Sequence, residues 1–135
     1  FMPPSYVPET GTVLDTGFFI EPAVIAGLDN SAKVSREEIF GPVLTVIAHD
    51  GDDDAVRIAN DSPYGLSGTV FGGDDDRAQA VASRLRVGTV NVNGGIWYSA
   101  DAPFGGYKQS GVGREMGVAG FEEYLETKLI ATLAS

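Results

Sequence analysis

The feature that most constrains this chain is a rhythm beginning at residue 43. Val43-Leu44-Thr45-Val46-Ile47-Ala48 is a continuous apolar run of strand length. Continuity rather than alternation marks a strand buried on both faces, as in a parallel sheet. Gly51-Asp52-Asp53-Asp54 follows, then Ala55, Val56, Ile58 and Ala59 on one helical face. Asn60-Asp61-Ser62-Pro63 stops that helix, because the residue before a proline resists the α region. Leu66 to Phe71 is a second apolar run. Asp74-Asp75-Asp76 opens a second helix, with Ala78, Val81, Ala82 and Leu85 at i, i+3, i+4 and i+7, an amphipathic stripe. Val87 to Val92 is a third strand. An acidic triplet after glycine thus stands twice between a strand and a helix. This is a repeated βα unit, and it predicts parallel strands joined by helical crossovers. The expected fold class is α/β, an open, twisted, mostly parallel sheet with flanking helices.

The flanks are less regular. Residues 1–16 read as an irregular lead-in rich in Pro, Thr and Gly. Gly17-Phe18-Phe19-Ile20, stopped by Pro22 and followed by Val24 and Ile25, predicts an extended segment at a sheet edge. Residues 94–113 interleave glycine with Trp97, Tyr98, Phe104 and Tyr107, and so long an irregular stretch is usually functional. Arg114 to Leu125 reads as a helix, weakened by about 1 kcal/mol each at Gly117 and Gly120. Thr127 to Leu133 reads as a final apolar strand.

Composition narrows the partners. The 135 residues are about one domain's worth, and 43% are hydrophobic, enough for a packed core. A net charge of −10 argues against a nucleic-acid backbone or an anionic membrane surface, both of which select basic patches. No apolar run approaches the roughly 18 residues of a membrane span. Phe1 to Pro8 has neither the basic region nor the apolar stretch of a secretory signal, and the expected location is cytoplasmic. Phe1 as first residue points to a trimmed or partial chain. With no cysteine, disulfides, thiolate metal sites and a Cys nucleophile within the chain are all excluded. The single histidine, His49, argues against a His-based zinc site, and no G-x-S-x-G elbow accompanies it. No metal is expected.

Three motifs carry possible chemistry. The acidic triplets suit a metal or phospho-acceptor site, but neither has the spacing of a Ca²⁺ loop. Capping of helix N-termini explains them better. Gly111-Val112-Gly113-Arg114-Glu115-Met116-Gly117 looks like a dinucleotide fingerprint, yet its third glycine comes one residue late and it follows a loop rather than a strand. Glu37-Glu38-Ile39-Phe40-Gly41-Pro42 is more specific: two carboxylates and an aromatic before a rigid corner that leads into the strand at 43. It is either a ligand-contacting turn or a solvated acidic turn with Phe40 in the core.

This last segment resembles the E-E-I-F-G-P run of the aldehyde dehydrogenases. Gly17-Phe18-Phe19-Ile20-Glu21-Pro22 resembles that family's G-[YF]-F-I-x-P. Asn60 through Phe71, with Tyr64-Gly65-Leu66 inside, resembles N-x-x-x-Y-G-L-x-x-x-V-F. Gly88-Thr89-Val90-Asn91-Val92-Asn93 resembles G-x-x-x-x-N. Pro103-Phe104-Gly105-Gly106-Tyr107-Lys108-Gln109-Ser110-Gly111-Val112-Gly113-Arg114-Glu115 resembles P-F-G-G-x-K-x-S-G-x-G-R-E. The matches fall in the family's order and cover about residues 17–130.

The resemblance implies an NAD(P)⁺-dependent oxidation of an aldehyde to a carboxylic acid. It implies that Glu38 accepts hydrogen bonds from the nicotinamide ribose, as an acceptor-only carboxylate suits a vicinal diol. Phe40 would pack beside the nicotinamide and exclude water, with Leu66 as a further neighbour. Tyr98 and Phe104, with Ile96 and Trp97 nearby, would line the aldehyde tunnel, where aromatic walls suit a hydrophobic substrate; simple loop packing is the other reading of Trp97 and Tyr98. The family's chemistry needs a Cys thiolate to attack the aldehyde and a Glu-activated water to release the acid. Neither the Cys, the E-L-G-G-K glutamate motif nor the Rossmann half occurs in this chain, so no catalytic residue is assigned within it. Residues 1–120 would form the C-terminal portion of the catalytic domain, and residues 121–135 the end of a helix and a strand that joins a homo-oligomer. The alternative is a free-standing, non-catalytic α/β interaction module.

Overall fold

The computed structural model describes residues 5–7, 12–14, 20–95 and 98–133. It divides into two compact units, Phe1–His49 and Asp50–Ser135.

In the first unit, β1 (Ser5–Val7) and β2 (Thr12–Leu14) pair antiparallel, Ser5 opposite Leu14. β3 (Ala23–Ala26) and β4 (Val43–Val46) pair parallel, Ala23 opposite Val43, and α1 (Lys33–Arg36) lies between them in sequence. β3 begins directly after Pro22, where a missing N–H interrupts no ladder. The extended segment expected from Gly17 is described from Ile20 onward. Burial in β4 alternates: Val43 and Thr45 are half-buried, while Leu44 and Val46 are exposed, as is Val24 of β3. The continuous apolar run thus finds cover on one face of the strand pair. The one-turn helix α1 places its half-buried Val34 where the carbonyl accepts the Thr45 hydroxyl at 3.5 Å.

The second unit holds the repeated element. α2 (Gly51–Asn60), β5 (Ser67–Val70), α3 (Asp75–Ala82) and β6 (Thr89–Val92) follow in order, and β5 pairs parallel with β6, Ser67 opposite Thr89. Val56 of α2 and Ala78 and Ala82 of α3 are buried. The acidic triplets cap and brace. Asp74 Oδ1 accepts the Arg77 N–H at 2.8 Å, and Asp54 Oδ2 accepts the Asp50 N–H at 3.0 Å. Asp52, Asp53 and Asp54 each also meet a different guanidinium: Arg77 and Arg84 at 2.7 Å, and Arg57 at 2.6 Å. The hydrogen bond to Asp52 is the first cause that raises the Arg77 pKa above its ordinary value. Asn93 closes the open ends of the sheet: its N–H donates to the Val70 carbonyl, its Oδ1 accepts the Gly72 N–H at 2.8 Å, and its Nδ2 donates to Asp75 at 2.6 Å.

Several elements differ from the sequence reading: β1 and β2 pair within the stretch read as an irregular lead-in, and α1 stands where no helix is expected. The last helix, α4 (Gly117–Glu122), is half the predicted length. Met116 and Gly117 take positive φ (63° and 58°), which ends any helix arriving from Arg114. Thr127 to Leu133 forms no strand, and Leu129, Ile130 and Leu133 are largely exposed. Among the described residues, no helix is long and apolar enough to cross a membrane.

Candidate functional site

Each unit shapes one of the stretches singled out above. In the first, α1 ends because Glu37 turns extended (φ −99°, ψ 144°), while its N–H still donates to the Lys33 carbonyl at 3.0 Å. The Glu37 carboxylate reaches back to Lys33 at 3.6 Å, an exposed pair of little energetic weight. Glu38, Ile39 and Phe40 then stand in solvent. The far side of the turn is pinned: the Pro42 carbonyl accepts the Ala23 N–H at 2.9 Å, and the Val43 N–H donates to the Gly41 carbonyl at 2.8 Å.

Phe40 has a φ of 52° and is 93% exposed. A left-handed backbone costs a residue with a Cβ roughly 1–2 kcal/mol. A ring in solvent recovers none of that by burial, so Phe40 is not core in this chain. Held strain of this kind gathers at ligand-contacting positions.

In the second unit, the loop from Phe104 to Glu115 is closed by a reciprocal pair. The Phe104 N–H donates to the Glu115 carbonyl at 2.8 Å, and the Glu115 N–H to the Phe104 carbonyl at 2.7 Å. Arg114 fills the loop. Its Nη1 donates to the carbonyls of Gly106 (3.0 Å) and Gly113 (2.6 Å), and its guanidinium lies 5.3 Å from the centre of the Tyr107 ring. Such a rigid fork of donors suits several carbonyls at once.

A 3₁₀ turn, Lys108–Ser110, ties this loop to the segment after α2. The Tyr107 N–H donates to the Gly65 carbonyl (2.8 Å), the Gln109 N–H donates to the Pro63 carbonyl (2.9 Å), and Ser110 Oγ accepts the Gly65 N–H (2.9 Å). Lys108 Nζ donates to the carbonyls of Asn60 (2.9 Å) and Ser62 (3.0 Å), at the negative end of α2. Asn60 itself bridges to the link between α3 and β6, donating to the Arg84 carbonyl at 2.9 Å and accepting the Arg86 N–H at 2.7 Å.

These ties shape a cleft of about 380 Å³, lined by Leu66, Phe104, Arg114, Glu115, Glu123 and Tyr124 among others. Tyr98 meets Phe104 edge to face, with ring centres 5.8 Å apart and planes at 70°. Leu66 and Phe104 therefore share one cleft, and Tyr98 adjoins its aromatic wall. Ile96 and Trp97 lie outside the described residues. Glu38 and Phe40 sit together in the turn of the first unit. Sequence reasoning gave no role to Tyr107, Lys108, Ser110 or Arg114, although all four stand in the motif that carries Phe104. Tyr107, Lys108 and Ser110 work through contacts to distant backbone and Arg114 through carbonyls of its own loop, which spacing does not reveal. Among the described residues, no group of three or more His, Asp or Glu side chains could hold a metal ion.

Residues 7–130 match the aldehyde dehydrogenase family. The chain is 49% identical over 124 residues to geranial dehydrogenase of Castellaniella defragrans, covering 90% of this chain and 25% of that protein. It is 47% identical over 115 residues to betaine aldehyde dehydrogenase of Bacillus subtilis, covering 85% and 24% respectively. It therefore spans about a quarter of the length of the relatives it matches. Among solved structures it is similar to a variant of an aldehyde dehydrogenase of Pseudomonas syringae, crystallised with NAD⁺ and octanal. That likeness has a TM-score of 0.80 and 53% identity, over 93% of this chain and 25% of the other. Betaine aldehyde dehydrogenase of Staphylococcus aureus, in complex with NAD⁺, matches with a TM-score of 0.78 and 50% identity, over 83% and 22%. The matched stretch takes in both the exposed 37–42 turn and the interlocked 104–115 loop, and the chain belongs to the aldehyde dehydrogenase family.

Proposed function

We propose that this chain is the part of an NAD(P)⁺-dependent aldehyde dehydrogenase that contributes the nicotinamide-ribose side of the cofactor site, a wall of the aldehyde tunnel and a subunit contact. The observation that carries this reading is the 37–42 turn, which holds a carboxylate and a strained, bare aromatic ring two residues apart in solvent. Those groups fit a nicotinamide riboside, which needs an acceptor for its diol and an apolar face for its ring. A bound nicotinamide would supply the hydride acceptor for the oxidation. Glu38 holds the ribose hydroxyls. Phe40 and Leu66 keep water from the ring. Tyr98 and Phe104, with Ile96 and Trp97, wall the path of an aldehyde. The nucleophile and the general base come from outside the chain, which has no cysteine. Residues 1–120 act as the C-terminal portion of the catalytic domain and residues 121–135 as the oligomer contact, in a cytoplasmic enzyme that needs no metal.

The test is reduction of NAD⁺ and NADP⁺ by the protein as its gene encodes it, with a series of aldehydes, followed by nicotinamide absorbance. Aldehyde-dependent reduction is expected there, and none from the 135-residue chain alone. Absence of reduction with every aldehyde and both cofactors refutes the proposal. Turnover by the isolated chain refutes the assignment of the nucleophile to another segment.

A further inference from the structure

We infer that Lys108 is a positioning residue that makes the two walls of the Leu66–Phe104 cleft move as one body; the inference rests on the dehydrogenase reading. Its ammonium donates to two main-chain carbonyls, Asn60 at 2.9 Å and Ser62 at 3.0 Å, just where α2 has run out of its own donors. An exposed lysine has no need of such a place. Lys108 is half-buried and reaches these carbonyls from a backbone with a φ of 54°, a conformation that residues with a Cβ avoid. A strained backbone that delivers a charge to two carbonyls marks a contact the fold depends on rather than a chance surface pair.

The consequence is geometric. Residues 60–65 lead directly into Leu66, and residues 107–110 belong to the loop that begins at Phe104. The Tyr107, Gln109 and Ser110 bonds join the same two segments. Lys108 adds a charged tie, and it reaches back along the chain to the end of α2. Without it the stretch from Asn60 to Ser62 loses its hold on the loop, and the register of Leu66 against Phe104 rests on the remaining bonds at Pro63 and Gly65. In the dehydrogenase reading, Leu66 neighbours the nicotinamide and Phe104 the aldehyde. Together with the neighbouring bonds, the tie helps to set the distance between the two reacting partners without touching either.

The experiment compares Lys108→Met, which keeps the stem and removes the donors, with Lys108→Arg, which keeps a charged donor. Both are made in the protein as its gene encodes it. Hydrogen exchange, read by mass spectrometry on the peptides spanning 60–66 and 104–110, is expected to speed up at least about tenfold in Lys108→Met, with residues 89–92 unchanged. Steady-state kinetics are expected to show kcat falling about tenfold or more with KM for the nicotinamide cofactor little changed, and partial recovery in Lys108→Arg. If Lys108→Met fails to fold, Ser110→Ala removes a single neighbouring tie and is expected to give the same pattern at smaller amplitude. Unchanged exchange in the two peptides overturns the inference. So does faster exchange with unaltered kinetics, which would make Lys108 a purely structural brace. An inactive wild type is a different result: it refutes the dehydrogenase reading, and with it any positioning role in that reaction.

Discussion

Replacing Gly88 with alanine probes the closest backbone approach in the second unit. Gly88 stands one residue ahead of β6, and its N–H donates to the carbonyls of Gly65 (3.1 Å) and Leu66 (3.0 Å). A Cβ at this position would overlap the Gly105 carbonyl oxygen, lie 2.8 Å from the Gly105 carbonyl carbon and 3.2 Å from the Leu66 oxygen. All three are main-chain atoms, so no rotamer change relieves the clash. Nor can the neighbours move freely. Gly65 is held by Tyr107 and Ser110, and Gly105 follows Phe104, whose N–H and carbonyl are both taken by Glu115. Overpacking costs about 1–3 kcal/mol where side chains absorb it; here main chain must shift, and about 3 kcal/mol is expected. Gly73→Ala is the control. No heavy atom lies within 4 Å of its would-be Cβ, and its φ is not positive. That change should stabilise by about 0.4–1 kcal/mol, through the unfolded chain. The two variants should therefore separate by roughly 10 °C or more in Tm, followed by circular dichroism. A Gly88→Ala protein that melts within about 1 °C of wild type would show that the 104–115 loop does not rest on Gly88, and the account of the cleft would fall with it.

Glu38→Gln should leave the fold intact, because the side chain stands in solvent. It should lower hydride transfer or cofactor affinity about ten- to a hundredfold, the worth of a charge-assisted hydrogen bond of roughly 1.5–3 kcal/mol; unchanged kinetics would reduce it to a surface turn residue. Asp29 is held below the ordinary carboxylate range, first by the Ser31 side chain and then by the Ser31 N–H, which donates to Oδ1 at 2.8 Å. A depressed folded-state value contributes stability above the unfolded pKa, and the contribution is lost as pH falls through the lowered value. An NMR titration should place the Asp29 midpoint below that of an unstructured aspartate, and a midpoint at or above it would contradict the turn. Removing residues 125–133 should weaken self-association in sedimentation, because Leu129, Ile130 and Leu133 expose apolar surface with no cover. Equal association with and without them would move the subunit contact elsewhere.

The β5–α3–β6 unit was legible because its signals are local. The strands Ser67–Val70 and Thr89–Val92 fall inside the apolar runs, and Asp74 caps α3 where the acidic triplet begins. Periodicity, capping and proline stops act within a few residues, so the sequence displays them directly. The family motifs were equally legible as strings, and they led to Glu38, Phe40, Leu66, Tyr98 and Phe104. Two readings drew on local pattern and met non-local limits. The helix expected from Arg114 begins only at Gly117, since Arg114 and Glu115 are committed to Gly106, Gly113 and Phe104. The apolar run from Thr127 has strand composition but forms no ladder, because a strand exists only with a partner to take its N–H and C=O groups.

By itself, then, the sequence determined the α/β alternation, the Asp74 cap of α3 and the identity of the family. Tertiary structure alone decided that Phe40 stands bare on a left-handed backbone, that Leu66 and Phe104 share a cleft, and that Lys108, Ser110 and Arg114 serve the main chain rather than solvent. The difference is physical. Propensity and periodicity are properties of neighbouring residues, whereas a carbonyl left over at the end of α2 is satisfied by whichever donor the fold brings to it, here from 46 to 48 residues away.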